Sequence, residues 1–225
     1  LEALVAIPSV NFPGYASDEV LRCAHACDEL LRQAGAEPQL IPSSSGVPTV
    51  RADIPGPAGA PLVLLYSHYD VQPAGDDTKW HSQPFTAQER DGRLYGRGAA
   101  DDKSGVITHI SVLRAFGGTP PVSLRILFEG EEENGGDFEE WPQTRPEAFA
   151  DVDAAVIGDM GNVEIGQPTF TTELRGIIEG IVTELIKRRS LATKATVAVK
   201  EIFHRIDVLK AAKKMPGRYE GYWFN

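Results

Sequence analysis

Three short apolar runs each end in residues that bind cations, and this repetition constrains the fold more than anything else in the chain. Residues 62–66 (LVLLY) run into His68 and Asp70. Residues 122–128 (VSLRILF) run into the glutamates of EGEEENGG, and residues 154–157 (AAVI) run into Asp159. Short, nearly continuous apolar runs are the pattern of strands covered on both faces. A helix candidate at 103–116, closed by Gly117 and Gly118, lies between the first two runs. Strand, helix and strand in that order predict an α/β fold with a central, mostly parallel sheet and helices on both faces. Ligands of such sheets bind beyond the carboxyl ends of the strands. Three strands that deliver histidine and carboxylates to that edge therefore mark a candidate cation site.

The remaining elements fit an ordinary globular chain, long enough for one large or two modest domains. A helix is expected over 18–34, with Ser17 as N-cap, Asp18 and Glu19 in the first turn and Gly35 at the stop. Its apolar face holds Val20, Cys23, Cys27, Leu30 and Leu31, and the two cysteines read as small buried side chains. A further strand is expected over 49–54. The longest apolar runs are far too short to cross a bilayer, so no membrane partner is expected. No signal-peptide pattern opens the chain, and a cytoplasmic protein is expected.

The net charge of −10 argues against nucleic acid as the main partner. That charge is uneven. Residues 1–183 hold 12 Lys+Arg against 28 Asp+Glu, whereas residues 184–225 hold 10 against 4. The composition break divides the chain into a domain over 1–182 and a basic helical tail over 183–225.

Each motif has a bland reading beside the chemical one. His68 and Asp70 are two apart in an extended stretch and point the same way. Asp70 can then hold the ring nitrogen of His68 that faces away from a metal, which fixes the tautomer. A lone His-x-Asp in a loop is nevertheless common. In LYGRGAADDKSG (94–105) the third glycine of a dinucleotide fingerprint is replaced by Asp101, and Lys103 does not close a P-loop. The glycines allow a tight turn that brings Asp101 to the start of the next helix; equally, Asp101 or Asp102 is a simple N-cap. Glu131 to Glu133 read alone as a solvated turn. Beside a cation site, one carboxylate binds metal while its neighbour carries a proton, as metal-assisted hydrolysis requires. His25 and His109 sit on helices with no partner in view, and His81 sits in a loop.

Taken together, SHYDVQP, LYGRGAADDKSG, EGEEENGG and IGDM resemble the co-catalytic zinc amidohydrolases that include aminoacylases, glutamate carboxypeptidases and carnosinase-like dipeptidases. HYDVQP with EGEEENGG is most similar to the dipeptidase branch, and TTELRGIIEG (171–180) resembles the segment leading into that family's second domain. The resemblance covers about residues 1–182 and implies a zinc-peptidase-like catalytic domain. It implies that His68 binds one metal, with Asp70 orienting it, and that Asp101 bridges two metals across a cis bond to Asp102. It further implies that Glu133 binds a metal, that Glu132 is the general base, that Asp159 binds the other metal ion and that Glu131 only faces solvent. Two divalent ions are implied, zinc first and manganese as an alternative. The implied reaction is amide hydrolysis of dipeptides or N-acyl amino acids, by a monomer or homodimer.

The resemblance stops after Val182. Residues 183–225 show no HSG motif, and on this reading neither the lid domain nor the last metal-binding histidine is expected within them. The tail offers one amphipathic helix candidate with the stripe Val199, Ile202, Phe203, Ile206 and Leu209. His204 is either a replacement ligand or, as favoured, a surface residue. A competing expectation is that the chain is a non-catalytic derivative of this scaffold, serving as a binding or interaction module.

Overall fold

The computed structural model describes residues 1–159 and 161, so the tail, its helix candidate and His204 lie outside the described residues, as does the 182/183 boundary. Helices α1 (Glu2–Val5), α2 (Ser17–Gln33), α3 (Lys103–Ala115) and α4 (Trp141–Thr144) are interleaved with strands β1 (Gln39–Ile41), β2 (Thr49–Ile54), β3 (Leu62–His68), β4 (Gln88–Arg90), β5 (Arg93–Tyr95), β6 (Ser123–Glu129) and β7 (Ala154–Ile157). Five strands form one sheet in the order β1-β2-β6-β3-β7, while β4 and β5 form a separate hairpin. None of the described helices is long and apolar enough to cross a membrane.

The three apolar runs are the three neighbouring parallel strands. Leu65 of β3 sits opposite Ile126 of β6 on one side and Val156 of β7 on the other. The other edge is antiparallel, with β2 against β6 and β1 against β2, so the sheet as a whole is mixed. A parallel neighbour of β3 needs a crossover, and α3 supplies it between β3 and β6.

Burial on the two sheet faces follows the pleat. Ala52, Leu65, Leu124, Ile126 and Phe128 point into one core with Val20, Cys23, Cys27 and Leu31 of α2 and Val106, Ile110 and Leu113 of α3. Helices α2 and α3 thus share one face. On the other face the described cover is short helical turns, not full helices: Phe138, Trp141 and Phe149 form an aromatic cluster, and Tyr66 of β3 meets Phe138 at a centroid distance of 5.4 Å. Arg125 of β6 ties these turns down, donating to Asp53 at 2.6 Å and to the carbonyls of Glu147, Ala148 and Ala150 at 3.2 Å.

Three local expectations are corrected. The run 154–157 was expected to be buried, yet every residue of β7 is exposed, and among the described residues β7 forms the outer edge of the sheet. Helix α2 starts at Ser17 with Ala16 as the cap residue and no side-chain cap. His109 has a partner after all: it is buried, and its Nε2–H donates to the Tyr66 carbonyl at 3.0 Å.

One buried charge fastens the N-terminal segment to this frame. Lys103 is fully buried, and its Nζ donates to the carbonyls of Leu4 at 2.8 Å and Ile7 at 2.6 Å. Burial pushes its pKa down. Lys103→Met conserves bulk but leaves those carbonyls without donors, a loss of about 1–3 kcal/mol. Urea unfolding of the metal-free protein is expected to show that loss; an unchanged midpoint contradicts the anchoring role.

Candidate metal centre

The carboxyl ends of the three parallel strands deliver the site. His68 is the last residue of β3, Asp159 follows β7 after Gly158, and the glutamate turn follows β6 at Glu129. Opposite them, the N-terminus of α3 presents Asp101 and Asp102, joined by a cis peptide bond. The two aspartates divide the roles that the sequence left open. Asp102 caps α3: its Oδ1 accepts from the Gly105 N–H at 3.1 Å and its Oδ2 from the His68 N–H at 3.2 Å. Asp101 turns toward the imidazole.

His68 Nε2 is the hub. It lies 3.0 Å from Asp101 Oδ1, 3.8 Å from Glu132 Oε2 and 3.8 Å from Asp159 Oδ1. On the far side of the ring, Nδ1 lies 3.3 Å from Asp70 Oδ1 and 3.1 Å from the Asp70 carbonyl. His68 and Asp70 are completely buried, whereas the side chains of Asp101, Glu132 and Asp159 are 58%, 40% and 32% exposed. The His68–Asp70 pair is therefore sealed, and the carboxylates around Nε2 remain reachable from solvent.

The three glutamates differ in their surroundings. Glu133 Oε2 accepts from Gln72 Nε2 at 2.6 Å, and its N–H donates to Asp70 Oδ2 at 3.1 Å. Glu132 faces His68. Glu131 does not face solvent as expected: it is buried and accepts a hydrogen bond from the Ser45 hydroxyl. The cause is the tight turn that follows, where a Cβ on Gly136 would come within 2.6 Å of the Glu131 Cβ. The turn is also pressed from below, since a Cβ on Gly130 would stand 2.2 Å from the Tyr69 hydroxyl.

Charge at the site favours a cation. Burial alone would strip the proton from His68, but the carboxylates of Asp101, Asp159 and Asp70 outweigh it and hold the ring pKa well above its ordinary value. The same imidazole, through its hydrogen bond, pulls Asp101 down. Burial raises Glu132, and it lifts Glu133 to about 7. Such groups gain from a positive partner. The spacing fits a metal as well. Donors bound at 2.0–2.2 Å around a tetrahedral ion stand roughly 3.3–3.6 Å apart, and the distances from Nε2 bracket that. Two sets of donor atoms converge within 4.8 Å of one another: His68 with Asp102 and Asp159, and His68 with Glu132 and Glu133. Of the two aspartates at the α3 terminus, Asp102 is in the first set and already accepts from two main-chain N–H groups, while Asp101 Oδ1 lies 3.0 Å from His68 Nε2.

Two neighbours were not singled out by the sequence reading. One is Gln72, part of the quoted HYDVQP. The other is Glu129, buried with its Oε2 accepting from the Tyr66 hydroxyl at 2.6 Å and lifted by burial to about 7. The alternation of His68, Asp70 and Gln72 along one extended stretch was the available signal for the first.

A histidine nitrogen ringed by carboxylates at the carboxyl edge of a parallel strand set is a candidate divalent-cation site. Residues 64–217 match the profile of Peptidase family M20/M25/M40, and the chain belongs to that family. A cysteinylglycine-S-conjugate dipeptidase of Corynebacterium striatum is 49% identical over 122 residues, which are 52% of this chain and 26% of that protein. A Cys-Gly metallodipeptidase of Schizosaccharomyces pombe is 40% identical over 121 residues, covering 51% of this chain and 25% of that protein. Among solved structures, human carnosine dipeptidase 1 superposes with a TM-score of 0.63 at 29% identity, over 71% of this chain and 37% of that one. The chain thus corresponds to a quarter to two fifths of the length of these relatives.

If Asp70 orients the imidazole, Asp70→Ala is expected to weaken zinc binding about 10- to 100-fold. Chelator competition on the full chain reads this directly, and wild-type affinity in the variant contradicts the role.

Proposed function

We propose that this chain forms catalytic machinery of a metal-dependent peptidase that hydrolyses the amide bond of dipeptides or, as a second substrate class, N-acyl amino acids. The observation that carries the reading is the hub: one sealed, oriented imidazole whose Nε2 lies within 3.8 Å of three partly open carboxylates. The relatives named as dipeptidases support the substrate class, and the metallodipeptidase among them supports the cofactor.

In this reading His68, Asp101 and Asp159 hold one divalent ion, while Asp101 and Glu133 contribute to a second. Zinc suits the nitrogen and carboxylate donors, and manganese is the alternative. Bound there, such ions polarise a carbonyl and bring the pKa of water toward about 7. The chain's own residues supply the rest. Asp70 keeps Nε2 pointed outward by engaging Nδ1. Glu132, exposed and raised by burial, is the proton carrier. Its carboxylate accepts a proton from the attacking water as the C–O bond forms. It then returns that proton to the amine nitrogen as the C–N bond breaks. Buried, free Cys23 and Cys27 are compatible with a reducing setting, and a cytoplasmic location is part of this proposal.

Glu132→Gln separates binding from chemistry. With zinc loaded, it is expected to lower kcat/KM on a dipeptide panel such as Cys-Gly and β-Ala-His by about 10²- to 10⁴-fold, with metal content unchanged. Full activity in the variant, or loss of metal with loss of activity, sinks the assignment of Glu132 as base.

A further inference from the structure

The loop after β3 grips the glutamate turn twice, and the second grip has no part in the reading above. Tyr69 and Val71 are fully buried, with Tyr69 in the core. His68, Asp70 and Gln72 alternate with them, and all three reach the site. His68 offers Nε2 to the carboxylates. Asp70 bridges to the main chain of Glu133, and Gln72 takes its side chain: Nε2 donates to Glu133 Oε2 at 2.6 Å and stands 3.4 Å from the Glu133 carbonyl.

The geometry points to Gln72 as a positioning residue that fixes the Glu133 carboxylate and so sets the affinity for the cation that Glu133 holds. This rests on the reading of Glu133 as a metal ligand. The physical case has three parts. Glu133 lies beside Glu132, with donor atoms of both within 4.8 Å of His68, so repulsion drives the Glu133 side chain out toward solvent in the absence of a cation. A hydrogen bond from Gln72 opposes that displacement and blocks rotation about the last side-chain bond. The donor is also neutral. Lysine or arginine at position 72 would hold the carboxylate equally well but cancel the charge that attracts the ion. A carboxamide adds no positive charge of its own and leaves one carboxylate oxygen free.

The test uses the full chain, with zinc affinity measured by chelator competition and the visible spectrum of the cobalt-loaded protein as a report on ligand geometry. Gln72→Met removes the donor at nearly constant bulk, and Gln72→Asn keeps the amide but shortens its reach. Both are expected to weaken zinc binding about 10- to 100-fold and to change the cobalt spectrum, with the unfolding midpoint of the metal-free protein unmoved. If the methionine variant does not fold, the asparagine variant is read by the same criteria. Wild-type affinity and spectrum in the folded variants overturn the inference, as does an affinity loss matched by loss of metal-free stability. Glu133→Gln, measured in parallel, separates the two levels. If it loses affinity while the Gln72 variants do not, only the inference fails. If it keeps wild-type affinity, the ligand reading of Glu133 fails, and the inference with it.

Discussion

Two carboxylates 4 Å apart repel by about 1 kcal/mol in bulk water and about 4 kcal/mol at an effective dielectric of 20. Asp101, Glu132 and Asp159 gather within 3.8 Å of His68 Nε2, and donor atoms of Glu132 and Glu133 lie within 4.8 Å of each other and of His68. Left alone, the side chains would swing apart, so the surrounding structure has to hold them in place. Neighbouring carboxylates hold the pKa of His68 up, while burial, with a smaller part from nearby carboxylates, raises Glu132 and Glu133.

The fold holds these side chains through main-chain donors and rigid strand ends. Asp70 uses the N–H of Glu133, and Asp102 uses the N–H groups of His68 and Gly105. The Asp70 bond joins the segment after β3 to the turn after β6, and the His68 bond joins β3 to the start of α3, so fixing one side chain helps to fix its neighbour. Lys103, next in sequence to the aspartate pair, secures the start of α3 to the N-terminal segment. Cation binding and folding are coupled in such a site, because the ion relieves repulsion that the polypeptide otherwise has to contain.

Much of this was legible in the sequence because the relevant signals are local. Strands β2 and β7 fall on the expected residues, and β3, β6 and α3 differ by only one or two at their ends. Strand direction anticipated that His68, the glutamate turn and Asp159 would meet at one sheet edge, whereas the choice of Asp101 over Asp102 and the separate parts of Glu132 and Glu133 came from the family resemblance. What stayed hidden depends on contacts distant in the chain. Lys103 is buried against carbonyls almost 100 residues away, Glu131 is covered by a serine loop, and Gln72 meets Glu133 across 61 positions. A periodicity argument cannot register such pairings. It also misjudged β7, since an apolar run reads alike in the middle of a sheet and at its edge.

The central claim is that these donors form a cation centre with His68 at its hub. Anomalous scattering at the zinc edge, from crystals of the zinc-loaded protein, tests it most directly. The account predicts a strong peak about 2.0–2.1 Å from His68 Nε2, with Asp101 and Asp159 as its other ligands and a second peak sharing Asp101 with Glu133. Zinc-loaded crystals with no peak at His68 Nε2, or with zinc bound only at unrelated surface residues, would contradict it.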